Sequence, residues 1–452
     1  MPGNLALLLD LYELTMSQSY FLHRKRVCAT FDLFVRGLPP NRGYLVSCGL
    51  EDILKYLKEL NFSNEDLDFL RSKKQFSKEF IDYLAHFKFS GDVWAMPEGK
   101  VFFANEPIIR VTAGIIEAQI LESFFLNTIN VETMIASKAS RVVCAARNKG
   151  LYDFSLRRTH GAEAGIKVAR ASYIAGFSGT SNMLAGKLYN IPVTGTMAHS
   201  YVMTFKRELD SFRAYAATFP KKTILLVDTY DVKKGIRNAV AVGLDLKEKG
   251  HRLLGIRLDS GNIAALSRFA RRQFDRAGLR SVKILASGNL DEFRIKELLK
   301  KGAMVDSFGV GTNMGTSIDA PCLDVIYKLS EVTDDSGKFL PVMKLSKAKV
   351  TYPGRKQVFR FCDKKGKFVK DILGLENELI GGEPLLIKVV DKGKIVYHLP
   401  SLEEIRKLAR HDLASLPEKL KQVCVKYKYP VLISPELKKL RDTLSRKLEI
   451  RQ

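Results

Sequence analysis

Several short stretches of the chain gather residue types that act on small anions. His199 lies in PVTGTMAHSYV among Thr194, Thr196 and Ser200. An imidazole in such a polar setting serves as a base, as a nucleophile or as a hydrogen-bonded structural group. RLDSGN (257–262) sets Arg257 and Asp259 two residues apart, on the same side of a strand. That pair could hold an anionic substrate together with a ribose or a metal, or simply bind itself. SGNL, with Ser287 and Gly288, and GVGTNMG, with Gly309, Gly311 and Thr312, are glycine-rich. Without a Cβ the backbone can approach a phosphate closely and turn its N–H groups toward it. Neither is a Walker A or G-x-G-x-x-G motif. Each alone reads more readily as a plain turn, and the pair on neighbouring units favours phosphate. DFSLRRTHG presents Arg157 beside Arg158; fork-like guanidinium donors suit a carboxylate or phosphate, and two surface charges are the competing reading. Tyr12, in DLYELTM, has apolar neighbours and by residue type alone reads as core.

The elements that must position these residues are legible as a series. TILLVD (223–228), RLLGIRLD (252–259), VKILAS (282–287) and MVDSFGVG (304–311) read as strands. Helical patterns near 232–248, 263–277 and 291–300 separate them. Strand ends at Asp228, Asp259, Ser287 and Gly311 recur after 31, 28 and 24 residues, the spacing of βα units that build a parallel sheet or barrel. In such barrels reactive groups gather at the C-terminal strand ends, with phosphate near the last ones. Upstream, ATFDLFV (29–35) reads as a strand, 51–60 and 65–71 as helices, 93–113 as short strands, and the chain from about 115 as helical. Beyond Pro321, VIYKLSEV, PVMKLS and KQVFRFCD read as strands. SLEEIRKLARHDLASLPEKLKQV and SPELKKLRDTLSRKL read as amphipathic helices.

The composition narrows the class. With 46% hydrophobic and 27% charged residues over 452 positions, the chain is neither disordered nor a disulfide-stapled miniature. Lys and Arg exceed Asp and Glu by 73 to 49, a net +24, which favours anionic partners or reflects a basic, solvated surface. No basic stripe interleaved with aromatics supports a nucleic-acid partner. The six cysteines are scattered without a C-x-x-C pair, so no zinc site or disulfide framework is expected and a reducing interior is the simpler home. The start, MPGNLALLLDLYEL, lacks a basic region and is interrupted by Asp10 and Glu13, unlike a signal peptide. No apolar run approaches the roughly 20 residues of a membrane helix. A soluble, cytoplasmic protein without membrane contact is the expectation.

Taken together and in order, DLYELTM, FDLFVRGLPPNRGY, DFSLRRTHG, GTSN, GTMAHS, RLDSG, GVGTNMGTS and PGRKQVFR resemble the nicotinate phosphoribosyltransferase family. The resemblance runs from about residue 7 to the end. It implies a type II phosphoribosyltransferase fold: an irregular α/β barrel over 115–320, plus an α/β sandwich domain begun by 1–114 and completed by strands and a helical tail in 321–452. It implies a homodimer with active sites shared across the interface. It also implies a ligase-like reaction of NAD biosynthesis, in which nicotinate and phosphoribosyl pyrophosphate give nicotinate mononucleotide and pyrophosphate, with Mg²⁺, coupled to ATP hydrolysis.

By the same resemblance His199 is the phosphorylated histidine; Asp259 is the other catalytic candidate, placed to hold ribose hydroxyls or to stabilise positive charge at C1. Thr196 and Arg257 bind nicotinate, Phe154 stacks on the ring beside Arg157, and Tyr12 reaches the neighbouring subunit's site. Thr312 and the glycines around it take the 5-phosphate, with Ser287 and Gly288 on the adjacent turn. The Mg²⁺ ligands stay open among Asp228, Asp231 and Asp259. Related nicotinamide-using enzymes carry a carboxylate where GTSN has Ser181; its absence favours the acid as substrate. The cysteine-rich zinc element of some members has no counterpart here. A nicotinamide or quinolinate phosphoribosyltransferase is the nearest alternative, and a basic nucleic-acid-binding protein the alternative from another class.

Overall fold

The computed structural model describes residues 5–344 and 351–450. The chain divides into two units, Met1–Ser137 with Cys322–Gln452, and Lys138–Pro321. The change of unit at 137/138 falls inside the helix Glu122–Ala146, whereas the boundary expected at 114/115 marks where the helical pattern begins.

The first unit is an α/β sandwich woven from both chain ends. Its seven-stranded sheet runs in the order Phe339–Pro341, Val325–Thr333, Cys28–Val35, Pro107–Gly114, Asp92–Ala95, Ile387–Asp391, Lys394–Ile395. Every pairing in it is antiparallel; Ala29 faces Val332 on one side and Ala113 on the other. A second sheet joins Glu383–Pro384, Lys356–Cys362, Phe368–Leu375 and Val431–Ile433. Within it Arg360 grips Asp371 through both carboxylate oxygens, at 3.1 and 2.6 Å, with both side chains fully buried. A buried charge persists when a bidentate partner replaces its hydration.

The second unit is a parallel sheet in the order Gly179–Thr180, Gly150–Asp153, Ser307–Val310, Lys283–Ala286, Gly255–Leu258, Ile224–Leu226. The last four strands in chain order are linked by the helices Val232–Glu248, Ile263–Arg276 and Glu292–Lys300, as the strand-end spacing requires. Among the described residues no pairing joins the two outer strands, so the wall of this irregular βα barrel stays open there. Its strands are short and almost wholly buried, as expected where helices cover a parallel sheet. The polar residues after each strand divide into two jobs. The last of them caps the following helix: Asp231, Asn262 and Asp291 accept the backbone N–H of Lys234, Ala265 and Arg294, which satisfies donors that the first turn leaves open. The earlier ones face the site.

Three sequence readings need correction. The helix read over 401–423 ends at Ser415, because Pro417 disfavours helical backbone at the residue before it, and Leu416 is extended. PVMKLS contributes only the end of the strand Phe339–Pro341, and its residues 345–346 lie outside the described residues. A helix over Lys78–Ala85, capped by Ser77, was not anticipated; it spans only eight residues.

Candidate active site

The C-terminal strand ends of the second unit surround a cavity of about 520 Å³. It is lined by Phe154, Arg157, Thr196, His199, Arg257, Asp259, Ser287, Gly288, Gly309, Gly311 and Thr312. Eleven of the twelve residues given a catalytic, nicotinate-binding or 5-phosphate role above therefore meet around one space, although 158 positions separate Phe154 from Thr312. Arg158 and Ser181 line it too. The twelfth, Tyr12, belongs to the other unit. It stands near the start of the helix Leu11–His23, 43% exposed, with its hydroxyl pKa raised by partial burial and by Glu122 and Glu13.

Arg257 is the best-braced side chain of the site. Its Nε donates to Ser287 Oγ at 2.7 Å, Nη1 to Thr196 Oγ1 at 3.3 Å and Nη2 to Asp259 Oδ1 at 2.5 Å. Its guanidinium lies 5.4 Å from the Phe154 ring centroid, within cation–π range. A guanidinium has more N–H donors than these three contacts use, so it can be fixed and still bind a carboxylate. Alternation does place Arg257 and Asp259 together, and the pair is both an internal ion pair and a cavity wall.

Asp259 also accepts the Ser287 hydroxyl on Oδ1, at 2.5 Å. Burial alone would favour its neutral form, but the Ser287 hydroxyl and the Arg257 charge hold the carboxyl below the ordinary aspartate range. Asp259 is thus an ionised carboxylate at neutral pH, with no hydrogen bond to Oδ2 among the described residues. Its backbone N–H donates to Asp228 Oδ2, at 3.0 Å, and the Ser260 hydroxyl to the same atom at 2.6 Å.

His199 begins the short helix His199–Met203, with its side chain 41% exposed. Nδ1 is 3.1 Å from Thr229 Oγ1, and Nε2 is 4.0 Å from Asp228 Oδ1, a buried oxygen without a hydrogen bond. One ring edge is therefore oriented by the strand end that carries Asp228 and Thr229.

The two glycine-rich turns are built for close approach. Gly288 adopts φ 88°, and a Cβ there would sit 2.1 Å from Asp259 O, so only glycine fits. The Ser287 amide bonds Leu258 O and its hydroxyl is engaged by Arg257 and Asp259. The amides of Gly288, Asn289, Thr312 and Asn313 carry no bond among the described residues. Arg157 and Arg158, in the single turn Leu156–Arg158, are exposed and have no ion-pair partner among the described residues. With Arg257 they outnumber the one lining carboxylate, so the cavity favours anions.

Two supporting residues escaped the sequence reading. Asp153 is buried and accepts Ser155 N–H at 2.9 Å, the Ser155 hydroxyl at 2.5 Å and the Thr180 hydroxyl at 2.7 Å. It ties the Phe154 segment to the turn that carries Ser181. Burial pushes its pKa up, against those three bonds. Thr229, the partner of His199, was the other. Asp153 ends a strand, the position that singled out Asp228 and Asp259; its own strand, GLYD, lacks the apolar run of TILLVD or RLLGIRLD.

This parallel βα unit, with arginines, an ionised aspartate and two open-amide turns at its strand ends, has the architecture of a type II phosphoribosyltransferase. Three family models match in sequence order: the nicotinate phosphoribosyltransferase N-terminal domain over residues 7–130, the nicotinate phosphoribosyltransferase family over 150–371, and the C-terminal domain over 380–441. The chain is 46% identical over 436 residues to nicotinate phosphoribosyltransferase pncB2 of Mycobacterium tuberculosis, covering 96% of this chain and 92% of that one. It is 37% identical to nicotinate phosphoribosyltransferase of Bacillus subtilis, covering 96% and 94%. The crystal structure of human nicotinic acid phosphoribosyltransferase superposes with a TM-score of 0.85 at 29% identity, covering 96% and 99%. The chain belongs to the nicotinate phosphoribosyltransferase family. Among the described residues no helix is long and apolar enough to cross a membrane.

Proposed function

We propose that the chain transfers the phosphoribosyl group of phosphoribosyl pyrophosphate to nicotinate, a step of NAD biosynthesis. The observation that carries this reading is Arg257, braced by Ser287, Thr196 and Asp259 and facing two turns with open amides across one cavity. Arg257 clamps the nicotinate carboxylate with its remaining N–H groups, and Phe154 stacks on the pyridine ring. The 5-phosphate rests on the amides of Gly288, Asn289, Thr312 and Asn313. The pyridine nitrogen forms its bond to ribose C1 as the C1–O bond to pyrophosphate breaks, and the electron pair leaves with pyrophosphate. The ionised Asp259 holds ribose hydroxyls and stabilises positive charge at C1. Holding two reactants in line lowers the barrier by several kcal/mol.

The carboxylates of Asp259 and Asp228 are hard oxygen donors that suit Mg²⁺; Asp231 is engaged as a helix cap. Bound there, Mg²⁺ would neutralise charge on the departing pyrophosphate.

The reading extends to ATP. The exposed imidazole of His199, oriented by Thr229 and backed by Asp228, takes the γ-phosphoryl group: a ring nitrogen bonds to phosphorus as the bond to ADP breaks. A homodimer is supported by the exposed apolar side chains Leu8, Leu11 and Tyr12 at the start of the first unit, which a second copy would cover.

Incubation with phosphoribosyl pyrophosphate, Mg²⁺ and either nicotinate or nicotinamide, with and without ATP, tests the proposal. Nicotinate mononucleotide forming from the acid alone, faster with ATP, is the expected chromatogram. Product from nicotinamide, or from neither base, overturns it.

A further inference from the structure

Beneath the two glycine-rich turns lies a largely buried ionic cluster that none of the roles above uses. Lys138 and Arg141 are successive-turn neighbours on the helix Glu122–Ala146. Glu292, fully buried, opens the helix that follows the Ser287–Leu290 turn. Asp319 closes the segment that follows the Thr312–Gly315 turn. Arg141 Nε donates to Glu292 Oε1 at 2.9 Å. Lys138 Nζ lies 2.7 Å from Glu292 Oε2 and 2.7 Å from Asp319 Oδ1. Its approach to Glu292 is a charge contact outside hydrogen-bond directions, so its attraction depends on distance rather than angle.

One ammonium, 1% exposed, thus stands between the two segments that carry the open amides. Charges in the cluster balance, two of each sign, which allows Lys138, Arg141 and Glu292 to be buried, with Asp319, its side chain 25% exposed, at the edge. Closer to the cavity, Asn313 Nδ2 reaches Asn289 O at 3.4 Å and Asp291 Oδ2 at 3.5 Å. These contacts are long and weak. Strand pairing fixes the roots of the two turns, and their spacing beyond it falls to the charges behind them. Among the described residues Lys138 contacts Glu292, Phe293 and Asp319 and none that lines the cavity, so it acts through the turns.

We infer that Lys138, through Glu292 and Asp319, is a positioning residue that sets the distance between the two phosphate turns and thereby the affinity for the phosphoribosyl donor. The inference rests on the proposed phosphate role of those turns. Displacing one turn by a fraction of an ångström weakens amide contacts to a phosphate on both sides while leaving the Arg257–Phe154 half of the cavity alone.

Steady-state kinetics with each substrate varied in turn test it. Asp319→Asn keeps the Lys138–Glu292 pair and frees only the second turn, so folding is secure. It should raise KM for phosphoribosyl pyrophosphate about tenfold, with KM for nicotinate and kcat within about threefold. Lys138→Met with Glu292→Gln, which removes both charges of the central pair, should do the same more strongly, and Lys138→Arg should recover part of the loss. Unchanged KM for the donor in both variants, or an equal rise for both substrates, overturns the inference. Thr312→Pro, which removes one open amide at the first position of a helix, where proline is tolerated, separates this from failure of the underlying reading. If Thr312→Pro also leaves donor KM unchanged, the turns do not bind the phosphate; if it raises donor KM while Asp319→Asn does not, only the positioning role of Lys138 falls.

Discussion

Replacing Gly309 by alanine places a Cβ 2.4 Å from both Cδ2 and Cε2 of Phe154. The backbone itself accepts the change, since Gly309 lies in a strand paired with Tyr152 and is not left-handed. The strain therefore falls on the ring. Ordinary contact begins at 3.4 Å, so the ring must retreat by about 1 Å, away from the position where it faces Arg257. A misplacement of that size in a positioning residue costs up to about a hundredfold in rate, or about 2.7 kcal/mol. Gly309→Ala should lower kcat/KM for nicotinate between about tenfold and a hundredfold, with far-UV circular dichroism unchanged. Progress curves at saturating phosphoribosyl pyrophosphate measure this. A double-mutant cycle with Phe154→Ala isolates the cause, because the clash disappears when the ring is gone. A loss below threefold, or an equal loss in the Phe154→Ala background, would refute the assignment of Phe154 as the stacking residue.

Other expectations follow from the same geometry. Ser181→Asp puts a carboxylate on the cavity wall; nicotinate turnover should fall at least about tenfold and nicotinamide turnover rise, by like-charge repulsion, and unchanged selectivity in a competition assay would count against Ser181 as a selector. His199→Ala should abolish stimulation by ATP while leaving ATP-independent product formation measurable, and full stimulation in the variant would remove the histidine from the ATP cycle. Glu13 is buried beside the Ser123 hydroxyl, and burial raises its pKa to about 7. Its contribution to stability is fully present below the ordinary value of 4.5 and is lost as pH rises to about 7, because the unfolded chain ionises first. After solvent screening the loss amounts to about 1–2 kcal/mol. Urea unfolding of Glu13→Gln should show a smaller fall between pH 4.5 and 8 than the parent protein, and an equal fall would assign the pH dependence elsewhere.

Local patterns in the chain carry much of this. The βα series over 223–311 is legible because each strand is a short apolar run, each helix is amphipathic, and each loop ends in a capping residue. Those are nearest-neighbour preferences, satisfied within a few residues. The polar strand ends could be selected for the same reason, since a parallel sheet sends all its C-terminal ends to one face. The short helix over Lys78–Ala85 escaped notice, and the helix over Leu402–Ser415 was read too long where an apolar pattern ran on past Pro417.

Long-range packing decides the rest. Nothing near Arg257 in the chain indicates that Ser287 and Thr196 fix its two faces, or that Phe154 lies under it; strand order puts the four together. The sandwich is similar: Cys28–Val35 gains Val325–Thr333 as a neighbour only once the chain has returned. Lys138 reads as one more cation on an amphipathic helix. Its burial between Glu292 and Asp319 depends on two loops meeting over that helix, and a charge can be buried only where the finished fold supplies its partners. Residue type and spacing thus select which groups can react, whereas distance, desolvation and charge pairing, which make them reactive, exist only in the folded chain.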